Sequence, residues 1–224
     1  MSFRIEVFSS DVYATVAAGA IERALPASGS LVLTGGTTAR NVYEILGSSP
    51  PDRLAGLDVL YSDERCVPPD HPESNYGMTK RLLLDPAGMS KVHRMRGEDP
   101  PEEGASRYHD EIADLVERRP DLMLLGMGAD AHVGAMFPGS PALAESERFC
   151  RAVDRPDGMN GLTLTPPAML NADKILLLVT GAAKAETVAR VVEGNEPVTD
   201  CPARLLAPHP DVTFLLDQDA ASAL

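Results

Sequence analysis

The chain has 224 residues, 44% of them hydrophobic, and a formal net charge of -13 at pH 7. This length and composition predict one soluble globular domain over residues 1–224 and exclude a disordered chain. The acidic balance, without a basic stripe or helix, argues against a nucleic-acid partner, although local Arg or Lys residues can still attract a small anion.

The cysteines and the apolar runs indicate the cellular compartment. Cys66, Cys150 and Cys201 show neither a CxxC pair nor metal-ligand spacing, so we expect reduced thiols and no metal site. The first ten residues lack the apolar core of a signal peptide, and no apolar run reaches the roughly 18 residues of a membrane span. We therefore expect a cytoplasmic protein with no membrane partner. The sequence predicts no particular oligomeric state.

Strands and helices alternate from the first residues onward. A strand is predicted over residues 3–8, and apolar residues at helical spacing predict a helix over residues 12–25 with Asp11 as its N-cap. A second strand over residues 30–34 and a helix over residues 39–46 follow. This alternation indicates a single α/β domain with a parallel sheet.

The loop between that second strand and its helix is rich in glycine and hydroxyl groups. Its residues are Gly35, Gly36, Thr37 and Thr38. Such a loop directs backbone N–H groups and hydroxyls at one point before a helix N-terminus, which is the geometry of a phosphate site. It lacks the GK[ST] ending of a P-loop, and a tight turn with a Ser/Thr cap is the alternative.

Charged residues follow the third predicted strand, residues 57–61. They are Asp63, Glu64 and Arg65. A surface loop is one interpretation. The other is that Arg65 binds an anionic group while Asp63 or Glu64 orients that group or a hydroxyl. Ser74 is then a plausible cap of a helix that continues to residue 84.

The next segments lead to an aspartate and a histidine. A short strand over residues 92–95 and a helix that ends before Pro120 precede a continuous apolar run at residues 122–125. This run predicts a strand buried on both faces, after which a glycine-lined loop carries Asp130 and His132. In an open parallel sheet, ligands bind at the carboxyl ends of the strands, so the three polar loops are expected to converge.

The remaining elements complete the same pattern. Predicted strands cover residues 151–154, 162–165, 175–180 and 212–216, with a loop at residues 155–161. Helices are expected at Pro166, in a segment whose first turns carry Lys184, near Ala203 and from about Asp219 to the end.

Three functional classes can be weighed from the residues. Gly126, Gly128 and Ala131 formally fit the dinucleotide pattern G-x-G-x-x-G/A, but Pro138 and Pro141 interrupt the helix that must follow it, so we expect no nucleotide cofactor. A non-catalytic sugar-phosphate sensor would use the same loops, yet the chain has no spare output segment. A hydrolase or isomerase acting on a phosphorylated sugar would use His132 to move a proton. Histidine as a residue type suits that task, because the unperturbed imidazole pKa of about 6.5 is near neutral.

Four ordered segments spanning most of the chain resemble the glucosamine-6-phosphate isomerase/6-phosphogluconolactonase family, and its lactonases in particular. They are LVLTGGTTARNVYEIL (residues 31–46), YSDERCVPPDHPESNYGMTKRLLL (61–84), LLGMGADAHVGAMFPG (124–139) and LTLTPPAMLNADKILLLVTGAAKAETV (162–188). The resemblance implies a three-layer α/β/α, Rossmann-like fold with a mostly parallel sheet, of the sugar-phosphate isomerase/deaminase superfamily type. It also implies hydrolysis of 6-phosphogluconolactone in the pentose phosphate pathway without metal or nucleotide.

The resemblance also assigns roles to individual residues. The family's GxDGH pattern falls on Gly128, Asp130 and His132, which implies that His132 is the general base that activates water and that Asp130 orients it. The remaining implied substrate contacts are Gly35, Gly36, Thr37, Thr38, Asp63, Glu64, Arg65 and Lys184. Backbone N–H groups of residues 126–131 are candidate donors to the oxyanion.

Two positions depart from the family pattern. Ala131 replaces the second glycine of GxDGH, so a positive φ there would cost about 1 kcal/mol or force a different turn. Gly161 stands where members commonly have an arginine, and Arg40, Arg151 or Arg155 could substitute for it. Glucosamine-6-phosphate deaminase is the alternative activity. Its members usually continue the histidine loop with asparagine and glutamate, whereas this chain has a Phe-Pro-Gly segment.

Overall fold

The computed structural model describes residues 3–224. Its strands, in chain order, are β1 (Arg4–Phe8), β2 (Ser30–Leu33), β3 (Asp58–Tyr61), β4 (Asp63–Arg65), β5 (Leu122–Gly126), β6 (Cys150–Asp154), β7 (Asn160–Leu164), β8 (Ile175–Val179) and β9 (Val212–Asp217). Its α-helices are α1 (Tyr13–Ala24), α2 (Thr37–Ser48), α3 (Asn75–Thr79), α4 (Pro101–Glu117), α5 (Pro166–Leu170) and α6 (Ala185–Glu193). No helix in this range is both long enough and apolar enough to cross a membrane.

The main sheet is parallel throughout and confirms the predicted α/β class. Its strand order is β1-β9-β8-β5-β2-β3. Every residue of β2, β8 and β9 is buried, because helices cover both faces of a parallel sheet. The carboxyl ends of β2, β5 and β8 therefore meet at one edge, as the apolar runs predict.

A second, antiparallel sheet with the order β4-β7-β6 packs beside this edge. Its strand β4 contains the three charged residues for which a surface loop was the alternative interpretation. The backbone N–H of Ser62 donates to the Leu33 carbonyl, and the N–H of Leu164 donates to the Ser62 carbonyl. Ser62 thus joins the two sheets, and the charged segment pairs with β7 while residues at the start of α3 donate hydrogen bonds to its carboxylates.

The structure differs from the expected elements at several ends. Asp11 does not cap α1, since its carboxylate accepts a hydrogen bond from the Ser9 hydroxyl instead. Of the strand predicted over residues 92–95, only a single bridge from Val92 to Val59 forms at the sheet edge. No terminal helix forms from residue 219, where Asp217 accepts the Ala220 N–H and the segment is too short to propagate a helix.

The helix after the Thr/Gly loop starts earlier than expected. It begins at Thr37 rather than at residue 39, so both threonines of the loop belong to its first turn. The Ser74 cap is confirmed, because its hydroxyl accepts the Gly77 N–H at 2.9 Å. The helix behind it changes at Lys80 into a wider π-helical turn that ends at Leu84.

Candidate active site

A cavity of about 200 Å³ lies at the carboxyl edge of the main sheet, where the small sheet meets it. Nine of the eleven predicted site residues line it: Gly35, Gly36, Thr37, Thr38, Asp63, Arg65, Gly128, His132 and Lys184. Asp130 and Glu64 lie outside it. The predicted convergence of the three polar loops is therefore present in the structure.

The Thr/Gly loop supplies the N-terminus of α2 to this cavity. Gly36 has a φ of 92°, a conformation that glycine adopts without steric cost. A Cβ on Gly35 would lie 1.8 Å from the Asn75 Oδ1, so the loop packs directly on that side chain. The Thr38 hydroxyl lies 2.7 Å from that of Thr180. Because the first-turn residues of α2 line the cavity, their N–H groups are available to a ligand there, while the Thr38 hydroxyl already has a partner.

The Asp130 carboxylate holds the His132 ring in one orientation. Asp130 Oδ1 lies 2.6 Å from His132 Nδ1 and also accepts the His132 backbone N–H at 3.2 Å. Partial burial raises the pKa of Asp130, but the hydrogen bonds and charge of His132 outweigh it and hold that pKa below its ordinary value. An ionised carboxylate only accepts, so Nδ1 must carry the proton. Within residues 3–224, Nε2 has no hydrogen-bond partner, and it is the nitrogen left for the cavity.

The side chains of Asp130 and His132 leave no space for a larger residue at position 128. A Cβ on Gly128 would lie 2.1 Å from His132 Nδ1 and 2.5 Å from Asp130 Oδ1. Ala131 has a φ of 68° and is fully buried, so alanine occupies the left-handed conformation at a cost of about 1 kcal/mol. The loop therefore keeps the turn expected of a glycine. Its Gly128 and Ala131 N–H groups donate within the loop, which removes them as candidate oxyanion donors.

The charged strand β4 divides its residues between the cavity and the core. Glu64 is buried, and its carboxylate accepts hydrogen bonds from the N–H groups of Arg65, Asn75 and Tyr76 and from the Ser74 hydroxyl. Burial raises the pKa of Glu64, although these donors act in the opposite direction. This carboxylate organises the start of α3 and does not reach the cavity. Arg65, by contrast, lines the cavity.

Asn75 is a buried residue that sequence reasoning did not single out. Its Oδ1 accepts from Arg65 Nη1 at 2.5 Å, and its Nδ2 donates to the Asp63 carbonyl at 2.9 Å and to Asp63 Oδ2 at 3.2 Å. One amide therefore fixes both charged side chains of β4 that face the cavity. A lone Asn after a helix cap carries no periodic signal, so only the fold reveals this role.

We expect Asn75→Ala to lower the free energy of unfolding by about 1–3 kcal/mol, because it leaves buried donors and acceptors of Asp63 and Arg65 without partners. Urea unfolding followed by circular dichroism measures this. Asn41→Ala on the exposed side of α2 is the matched control and is not expected to lower stability. An unchanged unfolding midpoint for Asn75→Ala would show that the amide does not hold these charges.

Lys184 approaches the cavity from the turn before α6. Its Nζ donates to the Met127 carbonyl at 2.6 Å, which ties the ammonium group to the histidine loop. Burial lowers the pKa of Lys184, and the negative charges of Asp217 and Asp130 partly oppose that shift. With Arg65, it makes part of the cavity wall cationic despite the acidic net charge of the chain.

Two further side chains lie at the site: Phe137, which was not predicted from sequence, and Arg155, which was one of three candidate arginines. The Phe137 ring packs against His132 with centroids 4.5 Å apart, and the guanidinium carbon of Arg155 lies 5.4 Å from the same ring centroid. Arg155 also lines the cavity.

Across residues 3–224, no group of three or more His, Cys, Asp or Glu side chains is arranged to hold a metal ion. No helix follows β5 directly within that range, unlike in a dinucleotide-binding loop.

Positive charge, a helix N-terminus and an oriented imidazole thus share one small cavity at the carboxyl edge of a parallel sheet. This fold and site define an α/β enzyme for a small anionic substrate. More specifically, the chain belongs to the family of glucosamine-6-phosphate isomerases/6-phosphogluconolactonase, whose profile matches residues 9–215.

Individual relatives of the chain support the same family membership. The 6-phosphogluconolactonase of Mycobacterium tuberculosis is 34% identical over 247 aligned residues, which cover 100% of this chain and 99% of that protein. The solved 6-phosphogluconolactonase from Trypanosoma cruzi is 28% identical and superposes with a TM-score of 0.88, covering 100% of this chain and 98% of that one. A monomeric glucosamine-6-phosphate deaminase also superposes with a TM-score of 0.88, at 22% identity over 99% of this chain and 100% of its own. That last similarity concerns the fold alone.

Proposed function

We propose that this protein hydrolyses 6-phospho-D-glucono-1,5-lactone to 6-phospho-D-gluconate in the pentose phosphate pathway, as a single catalytic domain in the cytoplasm. The observation that carries the proposal is the Asp130–His132 pair, whose Nε2 is free beside a cationic cavity. The curated relatives at 31% to 36% identity that are named 6-phosphogluconolactonase support the lactone substrate. The proposed chemistry uses no metal and no nucleotide.

In the proposed mechanism, His132 is the general base. Its Nε2 takes a proton from a water molecule as the water oxygen bonds to the lactone carbonyl carbon, C1. The bond between C1 and the ring oxygen then breaks, and the imidazolium returns the proton to that oxygen. The product is the open-chain acid. Asp130 is a positioning residue that keeps the Nδ1 proton in place and stabilises the imidazolium that forms between the two steps.

The cavity wall supplies binding and charge stabilisation. The proposed phosphate-binding site consists of the first-turn N–H groups of α2, the Thr37 hydroxyl and Lys184. Arg65 and Asp63 are the proposed contacts to the sugar, with the arginine also available to the developing negative charge. Holding the remote phosphate places C1 near His132, which lowers the entropy cost of the attack.

The decisive experiment is a hydrolysis assay with freshly generated 6-phosphogluconolactone. We expect acid release from the purified protein to exceed the spontaneous rate clearly, with saturation at rising substrate concentration. No acceleration above that rate would refute the proposal. Parallel assays would then separate the alternatives: ammonia release from glucosamine 6-phosphate would indicate a deaminase, and tight sugar-phosphate binding without turnover would indicate a sensor.

A further inference from the structure

Gly161 places no side chain next to Arg65. The two residues are directly opposite each other in the antiparallel pair of β4 and β7. Side chains at such positions stand on the same face with Cβ atoms about 4.5–5.5 Å apart. Because residue 161 has no side chain, the space beside Arg65 is open to a group from elsewhere in the chain.

The side chain of Arg155 occupies this space. A Cβ on Gly161 would lie 3.1 Å from the Arg155 Cδ and 3.4 Å from its Cγ. Arg155 comes from the turn that joins β6 to β7, and its aliphatic stem crosses the glycine toward the cavity. The absence of a side chain on one strand therefore admits an arginine from the adjoining turn.

The Arg155 guanidinium is held in place with one edge unused. Its Nε and Nη2 donate to Asp157 Oδ2 at 3.1 Å and 2.9 Å, and its guanidinium carbon lies over the Phe137 ring. The side chain is only 11% exposed. Among residues 3–224, Nη1 has no hydrogen-bond acceptor. A largely buried cation with a free donor beside a cavity is suited to an anionic group of a ligand.

Neither of the other two arginines considered from sequence has this position. Arg40 is exposed on α2 and does not line the cavity. Arg151 donates to Glu145 and lines a second cavity, not the one that contains His132. The guanidinium carbon of Arg155 lies 5.4 Å and the His132 ring centroid 4.5 Å from the centroid of the same Phe137 ring, and both residues line the same cavity.

We propose that Arg155 is a specificity-determining residue whose Nη1 edge pairs with the phosphate of the substrate, and that Gly161 is required because it gives the side chain its path. This inference rests on the proposed function, since it assigns a ligand group to the same cavity. Arg155 thereby distinguishes a phosphorylated lactone from the same lactone without phosphate.

The test compares Arg155→Met with Arg151→Ala. Methionine keeps an apolar stem over Gly161 and removes the charge. We expect KM for 6-phosphogluconolactone to rise about 10- to 100-fold with kcat changed far less, as for the loss of a hydrogen bond between charged groups. Turnover of unphosphorylated glucono-1,5-lactone should not change, and Arg151→Ala should behave as wild type. Equal losses on both lactones, or an unchanged KM, would refute the assignment.

A relocated arginine provides a second measurement. In the double variant R155A/G161R, the new side chain enters the space that Arg155 has left, so we expect recovery of part of the affinity lost in R155A. Calorimetric binding of 6-phosphogluconate measures this without turnover. This measurement separates the proposed lactonase activity from the proposed role of Arg155. If wild type binds 6-phosphogluconate but hydrolyses no lactone, the proposed activity is refuted, and the comparison of wild type with R155A still tests whether Arg155 binds the phosphate. Equal affinities of wild type and R155A would overturn that role.

Discussion

Replacing His132 by alanine is expected to lower kcat for lactone hydrolysis by about 10²- to 10⁴-fold, the usual contribution of a positioned general base. The KM should change little, because the groups proposed to bind phosphate lie on other loops of the cavity. The measurement is the initial rate of acid release with the spontaneous rate subtracted.

Two companion variants sharpen this result. Asp130→Asn keeps Nε2 but removes the charge that fixes the proton on Nδ1, so a smaller loss of kcat is expected than for His132→Ala. His71→Ala changes an exposed histidine outside the cavity and should leave the rate within about twofold of wild type. If His132→Ala retained full activity, the base would have to be another group and the mechanism would be wrong.

The second large effect is expected from Gly128→Ala, a change that removes no functional group. The added methyl would lie 2.1 Å from His132 Nδ1, far inside contact distance, so the imidazole must turn away from Asp130. The residue does not have a positive φ, and the effect is therefore steric. Because the imidazole can move into the cavity, we expect kcat to fall at least as far as in Asp130→Asn while stability falls by no more than about 1–3 kcal/mol.

The matched control is Gly126→Ala at the end of β5, two residues before Gly128, where the nearest atom to the new methyl would be 3.9 Å away. The proton resonances of the His132 ring report the orientation directly. They should shift in Gly128→Ala and stay in place in Gly126→Ala. A Gly128→Ala protein with wild-type kcat and an unshifted ring would mean that the loop adapts without disturbing the pair.

The parallel sheet could be predicted because its signals are local. The runs in β5 and β8 are continuous and apolar, and each is followed closely by glycine, a pattern typical of strands buried on both faces. Strand β4 could not be predicted from sequence, because its three charged residues show no alternation of apolar and polar side chains. Its partners in β7 lie nearly a hundred residues further along the chain, and their pairing follows from tertiary packing.

The site residues also fall into those that local sequence signals predict and those that depend on tertiary contacts. The positions of the Thr/Gly loop, Arg65 and His132 follow from one rule about the carboxyl ends of parallel strands, so nine of the eleven predicted residues line the cavity. The roles of Glu64 and Asn75 could not be predicted, because they depend on which buried donors and acceptors form hydrogen bonds in the folded protein. Arg155 could be proposed as one of three arginines, but choosing it required the register that sets Gly161 opposite Arg65.

The turn that carries Arg155 differs from the rest of the site in what it can tolerate. Its residues Pro156, Asp157 and Gly158 are exposed, whereas a Cβ on Gly128 would clash with both His132 and Asp130. Substitutions in an exposed turn usually cost little folding free energy, so variants there survive long enough to be selected. We therefore expect substitutions that alter substrate preference to be tolerated more readily in the turn that carries Arg155 than in the loop that carries Asp130 and His132.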